Sequence, residues 1–411
     1  MKNNSISHYL IEIINFILFN QDFDAPIAVL ACAIDFSKAF NKVNHNILIT
    51  KLSDMGTPGW LLNLVMGFLT ERKMRVRYKG TTTGDRCLPG GGPQGSLLGG
   101  FLFLILINLC GFPDQDYNLG ENICKPRGKF QPQKLHTKYV DDMTLLESIH
   151  LKKNLIKDPA ERPLPDPYRK RTGHKLAAEN SRVYEQIDQV QLYAEQNDMK
   201  LNYSKTKFMV FHPCTSMDFE PEYKHGKLDI EMTESLRLLG LHLRSDLKWI
   251  DNTAAMTKRG YARLWIIKRL KTLGASQEDL KDVYEKQVRS VLEFGAPVWN
   301  SNISKQEVQD IERIQKSFLR KVLGLEYSEY STALKKLEME TLESRRHKLC
   351  VKFAFKAAKD PKHSKWFKLD SDPATSARYC LPEARLKRFK TSPIPYLTDL
   401  LNSIPSQEWE T

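Results

Sequence analysis

The sequence predicts an α+β fold: an antiparallel sheet with packed helices up to about residue 249, then helices alone to the C-terminus. Three observations predict it. Residues 26–36 form a nearly continuous apolar run ending at Asp35 and Phe36, the pattern of a strand buried on both faces with its charge delivered at one end. Residues 138–146, Lys-Tyr-Val-Asp-Asp-Met-Thr-Leu-Leu, read as strand, tight acidic turn and strand, which makes the pairing a hairpin. Beyond Trp249 the apolar spacing turns helical around 256–273, 277–294 and 304–323.

In chain order, a helix is expected from about His45 to Ser53, a Gly-Thr-Pro-Gly break at 56–59, and a second helix near Leu61 to Thr70. Arg75, Arg77 and Lys79 then alternate with Met74, Val76 and Tyr78, a period-two strand with one basic and one apolar face. Such a face could meet phosphates or simply be wet. The Gly-rich segment 88–96 opens an apolar helix, roughly Leu97 to Leu109, and a polar loop covers 111–135. A Pro-rich basic stretch, Lys157 to Lys175, reads as an exposed loop. Val183, Ile187, Val190 and Ala194 recur at helical spacing. Strands Lys200 to Asn202 and Lys207 to Phe211 lead to Leu236–Leu243. The last of the three helices opens with a capping box at Ser304 and Glu307 and stops before Gly324. The switch to helices near 250 is the expected domain boundary.

The chain has 411 residues, 41% hydrophobic and 10% aromatic, enough apolar side chain for two or three ordinary cores and too much for a disordered chain. Its longest apolar run, Leu97 to Ile107, is well short of the roughly 18 residues a bilayer span requires. Glu12 interrupts the N-terminal apolar stretch, a poor signal peptide. Seven scattered cysteines with no C-x-x-C pair support neither a disulfide framework nor a zinc ribbon. Lys+Arg number 62 against 49 Asp+Glu, a net charge of +13. Most of the excess lies beyond Met256, which suggests a polyanionic partner such as nucleic acid or, equally, a solvated helical surface.

Three acids stand out: Asp35 at the end of a buried strand, and the adjacent Asp141 and Asp142 in a hairpin turn. Taken singly, an Asp-Asp turn is more often an Asx-type turn. If the two strands are neighbours, three carboxylates converge and repel unless cations are present. Hard oxygen ligands suit Mg²⁺, which accepts substrate phosphates as its remaining ligands. Two such ions, about 3.5 to 4 Å apart in known two-metal sites, serve in-line phosphoryl displacement.

The order of motifs then carries a resemblance. Asp35-Phe-Ser-Lys-Ala-Phe40, Gly92-Pro-Gln-Gly-Ser96, Tyr139-Val-Asp-Asp142 and Leu201-Asn-Tyr-Ser-Lys-Thr-Lys207 resemble the successive palm motifs of reverse transcriptases, the non-LTR (LINE-type) retrotransposon branch in particular. The likeness runs from about Ile27 to Trp249, with Leu236 to Gly240 resembling the primer-grip region, and continues more weakly through Gly295–Asn300. It implies a polymerase palm with partial fingers over 1–249, a helical thumb over 250–324 and a basic helical extension of unknown role over 325–411. It assigns metal binding to Asp35, Asp141 and Asp142, with the backbone carbonyl of Phe36 as an extra ligand, and two Mg²⁺ ions, which Mn²⁺ could replace. Phe40 falls at the family's steric gate against a ribose 2′-hydroxyl; without the motif it is as readily a core residue. Gln94 and Gly95 match positions that touch the incoming nucleotide and template, and Tyr139 and Val140 pack beside the primer end. Lys205, or alternatively Lys207, could donate a proton to departing pyrophosphate.

The expected partners are an RNA template, a DNA primer and deoxynucleoside triphosphates, with no membrane. The backbone would be followed by Arg75, Arg77 and Lys79 and by Lys258, Arg259, Lys268, Arg269 and Lys271, residues that could equally only solubilise their elements. Nuclear residence follows by analogy with the family. The pattern also departs from the family. Only 34 residues precede Asp35, with Lys2 the only Lys or Arg among residues 1–25, so the fingers read as truncated; Asn41 and Leu109 stand where acids are usual. The alternative function is a remnant, weak or inactive in catalysis, that only binds nucleic acid.

Overall fold

The computed structural model describes residues 5–24, 27–37, 39–88, 90–93, 95–108, 133–139, 142–150, 152–153, 174–175, 183–212, 230–370 and 379–404. Helix α1, Ile6–Gln21, is apolar around most of its circumference, and 13 of its 16 residues are buried. A helix hydrophobic on all sides needs cover on all sides. The cover is a central sheet on one flank and the C-terminal helices on the other.

That sheet has the order β11-β10-β1-β7-β6, with β1 Ile27–Ile34, β6 Lys134–Tyr139, β7 Asp142–His150, β10 Lys207–Phe211 and β11 Glu231–Met232. All its pairings are antiparallel except β10 with β11. Alternation along the strands splits the apolar residues between two cores. Val29, Ala31, Leu146, Met209 and Phe211 face α1 and the helical layer. Ala28, Leu30, Cys32, Ile34, Met143, Leu145, Phe208 and Val210 face the second core. There they meet α2 (His45–Asp54), α4 (Leu97–Asn108) and α5 (Val183–Gln196), the last through Val183, Ile187, Val190 and Ala194. Burial on both faces is why β1 reads as a continuous apolar run.

Helix α3, Gly59–Leu69, leads into an exposed ribbon where the sequence predicts one strand over 74–79. The ribbon is instead broken into β2 Lys73–Met74 and β3 Arg77–Tyr78, paired with β5 Arg86–Cys87 and β4 Thr81–Thr82. Among the described residues no second layer covers it, and the supposed apolar face is open: Met74, Val76 and Tyr78 are 45%, 54% and 69% exposed. Lys79, at φ +46°, leaves the strand for the turn it makes with Gly80. The expected strand over 200–202 is likewise reduced to a single bridge between Phe36 and Leu201. Lys134 and Leu135, expected in a loop, belong to β6, while 109–132 lie outside the described residues. Of the stretch 157–175, only His174–Lys175 (β9) is described, paired with Lys152–Lys153 (β8).

A hairpin of β12 Ser235–Leu238 and β13 Leu241–Arg244 packs its leucines inward and leads into α6, Ile250–Thr272. The next helix, expected as a single run over 277–294, starts as α7 Gln277–Val283, widens to a π-helical stretch over Tyr284–Arg289 and ends at Leu292. After the short α8, Ala296–Trp299, comes α9, Lys305–Leu323. It is capped as its sequence predicts: Glu307 N–H donates to Ser304 Oγ at 3.2 Å and Ser304 N–H to Glu307 Oε2 at 2.8 Å. Helices α10 (Tyr330–Lys336), α11 (Leu342–Lys359), α12 (Lys387–Lys390) and α13 (Pro393–Asn402) complete this layer and share one core with α1. Buried Asp22, just past α1, accepts N–H bonds from Arg385 at 2.8 Å and Leu386 at 2.6 Å. The end of the chain is thus tied to its beginning. Among the described residues no helix is long and apolar enough to cross a membrane.

Candidate active site

Strand register brings the first acids together. β1 pairs with β7 up to Ile34–Met143, so Asp35 and Asp142 stand at the next position of the same ladder. Cross-strand neighbours point to the same face, and Tyr139, paired with Asp142, joins them there. Asp141 and Val140, between Tyr139 and Asp142, lie outside the described residues. Phe36 is buried, and its bridge to Leu201 is closed by bonds that flank it: Asn202 N–H to Asp35 O at 2.7 Å and Ser37 N–H to Lys200 O at 2.8 Å. In such a pair the carbonyl of Phe36 points to the opposite side, where β7 begins. Two carboxylates and a carbonyl at one sheet end are hard oxygen donors that fit a divalent ion of the Mg²⁺ type. Among the described residues no group of three or more His, Cys, Asp or Glu is near enough to hold a metal.

The segment 200–207 wraps Asp35. Asn202 Nδ2 donates to Asp35 Oδ2 at 3.0 Å, and Lys205 Nζ lies 3.6 Å from the same oxygen. Lys205 is 69% exposed and Asp35 30%, so the lysine is free to leave this partner. Lys207 is placed elsewhere, on β10 in an ion pair with Glu231 of the neighbouring strand. Tyr9, buried on α1, donates its hydroxyl to Thr144 Oγ1 at 2.9 Å. Burial holds its phenol well above the ordinary range, and the charge of Asp142 pushes the same way. Tyr9 also meets the Tyr139 ring edge-on at 5.9 Å, so Tyr139 is braced from beneath.

Phe40 stacks on Phe103 of α4 with ring centroids 4.0 Å apart. Its backbone carbonyl accepts the N–H of Gly92 at 2.7 Å, which docks the Gly-rich loop beside it. Gly95 is exposed at φ +88°, a left-handed conformation that favours glycine. Gln94 lies outside the described residues.

The basic residues divide. Arg75 is ion-paired with Asp85 across the ribbon, its side chain still exposed. Arg77 is exposed, and the Lys79 ammonium sits 5.5 Å from the Tyr78 ring centre. The Lys271 ammonium donates to the carbonyls of Lys321 and Val322 at 2.7 and 2.9 Å, capping α9 at its negative end. Lys258, Lys268 and Arg269 are exposed on α6.

Between them, on the same stripe, stand two residues absent from the sequence expectation, Tyr261 and Trp265, 47% and 67% exposed. Their spacing from Lys258 and Arg269 was the available signal, since an aromatic pair one turn apart between basic residues is poorly explained by solubility. Beside the stripe, Arg237 and His242 pair across the outer face of the β12–β13 hairpin, next to Arg259 and Arg263 of α6. Partial burial lowers the basicity of Arg259 and His242, and the neighbouring guanidiniums add to it, with Arg237 acting on both. Such a cluster of like charges is relieved by a phosphate.

The reverse transcriptase (RNA-dependent DNA polymerase) family matches residues 21–243. The chain is similar to a probable RNA-directed DNA polymerase from transposon BS of Drosophila melanogaster, 23% identical over 332 residues, covering 79% of this chain and 32% of that protein. It is also similar to a putative 115 kDa protein in type-1 retrotransposable element R1DM of Drosophila melanogaster, 21% identical over 273 residues, 66% of this chain and 22% of that one. The chain therefore spans a third or less of the length of these relatives. Among solved structures it is similar to telomerase from Candida albicans (TM-score 0.34, 11% identity, 88% of this chain and 51% of that chain). Telomerase from Candida tropicalis gives a TM-score of 0.40 at 11% identity, over 99% of this chain and 52% of that chain.

Proposed function

This chain belongs to the reverse transcriptase (RNA-dependent DNA polymerase) family, and from that premise we propose that it is the RNA-directed DNA polymerase part of a non-LTR retrotransposon protein. The observation that carries the proposal is the register that sets Asp35 beside Asp142 at one sheet end, with Asn202 and Lys205 on Asp35. Residues 1–249 would serve as palm with partial fingers, 250–324 as thumb, and 325–411 as an extension that buttresses α1.

The primer 3′-hydroxyl attacks the α-phosphorus of a deoxynucleoside triphosphate. A bond from O3′ to that phosphorus forms as the hydroxyl proton passes to solvent, the bond from phosphorus to the oxygen bridging to the β-phosphate breaks, and pyrophosphate leaves with that oxygen. Asp35, Asp141 and Asp142, with the Phe36 carbonyl, would hold two Mg²⁺ ions, or Mn²⁺ in their place. Bound there, such ions acidify the attacking hydroxyl and offset charge on the phosphates. Lys205, exposed and ion-paired with Asp35, can turn to the departing pyrophosphate and give it a proton. Phe40, stacked on Phe103, would serve as the gate against a ribose 2′-hydroxyl. Gln94 and Gly95 would border the nucleotide, and Tyr139 the primer end. The template–primer duplex would lie along Lys258, Tyr261, Trp265, Lys268 and Arg269, with phosphates at Arg237, Arg259 and Arg263; Arg77 and Lys79 offer a second, peripheral contact.

The test is primer extension on an RNA template with the native chain and Asp142→Asn. Incorporation by the native chain and its loss in the variant supports the proposal. Equal incorporation by both refutes the mechanism, and salt-sensitive binding with no incorporation by the native chain refutes the activity.

A further inference from the structure

Arg72, half-buried just beyond α3, spends its guanidinium on three backbone carbonyls. Nε donates to Leu69 O at 2.9 Å, closing the end of α3, and a terminal nitrogen donates to Gly90 O at 2.8 Å and to Gly91 O. From the other side His45 Nε2 lies 2.9 Å from Gly91 O. The loop thus held is pressed onto the segment that carries Phe40. Gly91 N–H donates to Val43 O at 3.0 Å and Gly92 N–H to Phe40 O at 2.7 Å. At Gly91, φ +80°, a Cβ would come within 2.8 Å of the Asn41 carbonyl oxygen, so the two backbones approach as closely as glycine permits. A rigid planar fork can span acceptors from two segments at fixed angles, whereas an ammonium is a point donor on a flexible stem.

We propose that Arg72 is a positioning residue for sugar selection: by clamping Gly90 and Gly91 it fixes the depth of the Phe40 ring against the incoming nucleotide. The proposal rests on the polymerase function above. Phe40 is braced on two sides, by Phe103 behind the ring and by the Gly92 bond to its carbonyl. The second brace depends on the loop, which Arg72 anchors at Gly90 and Gly91 and His45 at Gly91 alone. A slackened loop leaves the ring stacked but lets its backbone retreat, which admits a ribonucleotide more readily than it impairs the chemical step.

The experiment compares the native chain with Arg72→Lys, which keeps charge and length, and with Arg72→Ala. Single-nucleotide addition is measured with deoxy- and ribonucleotides, together with duplex affinity. The ratio of kcat/KM for deoxy- over ribonucleotide should fall about tenfold, roughly 1.4 kcal/mol, chiefly through the two KM values, with duplex affinity unchanged. Free methylguanidinium should restore part of the ratio in Arg72→Ala. Independently of activity, amide hydrogen exchange in segment 88–96 should quicken in both variants, because the Gly91 and Gly92 bonds loosen. An unchanged ratio in both variants, or exchange at the native rate, overturns the proposal. A native chain that adds no nucleotide defeats the function proposed above, while the exchange comparison still decides whether Arg72 holds the loop.

Discussion

Replacing Lys205 separates catalysis from stability. Its ammonium is 3.6 Å from Asp35 Oδ2, but its side chain is 69% exposed, and an exposed ion pair contributes about 0–1 kcal/mol, here the lower half of that range. Asp35 also keeps the Asn202 amide at 3.0 Å. Lys205→Ala should therefore melt within a few degrees of the native chain. If Lys205 protonates the departing pyrophosphate, the same change slows incorporation by roughly 10²- to 10⁴-fold, about 2.7 to 5.4 kcal/mol of barrier. Lys205→Arg sharpens the test, because an arginine retains the ion pair but does not release its proton at working pH. Rapid-quench single-nucleotide addition on an RNA template reads all three proteins, with Lys207→Ala as the comparison, since that lysine is engaged with Glu231. Full speed in Lys205→Arg would show that the residue acts only as a cation. A larger loss in Lys207→Ala than in Lys205→Ala would show that the wrong lysine was assigned.

Three further outcomes are expected. Gly91→Ala and Gly56→Ala share the backbone penalty of a left-handed residue, roughly 1–2 kcal/mol, but only Gly91 has a backbone oxygen 2.8 Å from the added carbon while Gly56 has nothing within 4 Å; chemical denaturation should find the first clearly more destabilising, and equal losses would refute the close approach. Burial and the neighbouring His363 hold the His8 imidazole down at about 4 against an ordinary 6.5. The unfolded chain then binds more protons between those values, so stability is full above pH 6.5 and falls by about 3 kcal/mol as the pH drops toward 4. His8→Phe should flatten that part of a melting-against-pH curve, and an unaltered slope would count against it. In duplex-binding titrations, Arg259→Gln should reduce the slope of log affinity against log salt by about one, whereas Trp265→Ala should weaken binding with the slope preserved; a changed slope for Trp265→Ala would mean that its loss disturbs the surrounding charges.

What the sequence determined by itself is what local pattern encodes. The apolar run through Ile34, the hairpin around Asp142, the periodicity of α5 and the Ser304 cap each depend on neighbours a few residues away, and the order of four motifs carried the family. Periodicity reports which face of an element is apolar but not what covers it. So the stretch Ile6–Gln21, legible only as an unconvincing leader, is the helix about which sheet and C-terminal layer are assembled. The ribbon over 73–87 has the alternation of a buried strand and lies open, because burial needs a second surface that the local sequence does not specify. The tertiary structure alone set Lys205 at Asp35, 170 positions away, and Lys207 at Glu231. It alone tied Asp22 to Arg385, and Arg72 to the glycines that dock beside Phe40. Register is the physical reason: once β1 and β7 pair with Ile34 opposite Met143, the places of Asp35 and Asp142 follow, and that pairing is set by two cores filling together rather than by any motif.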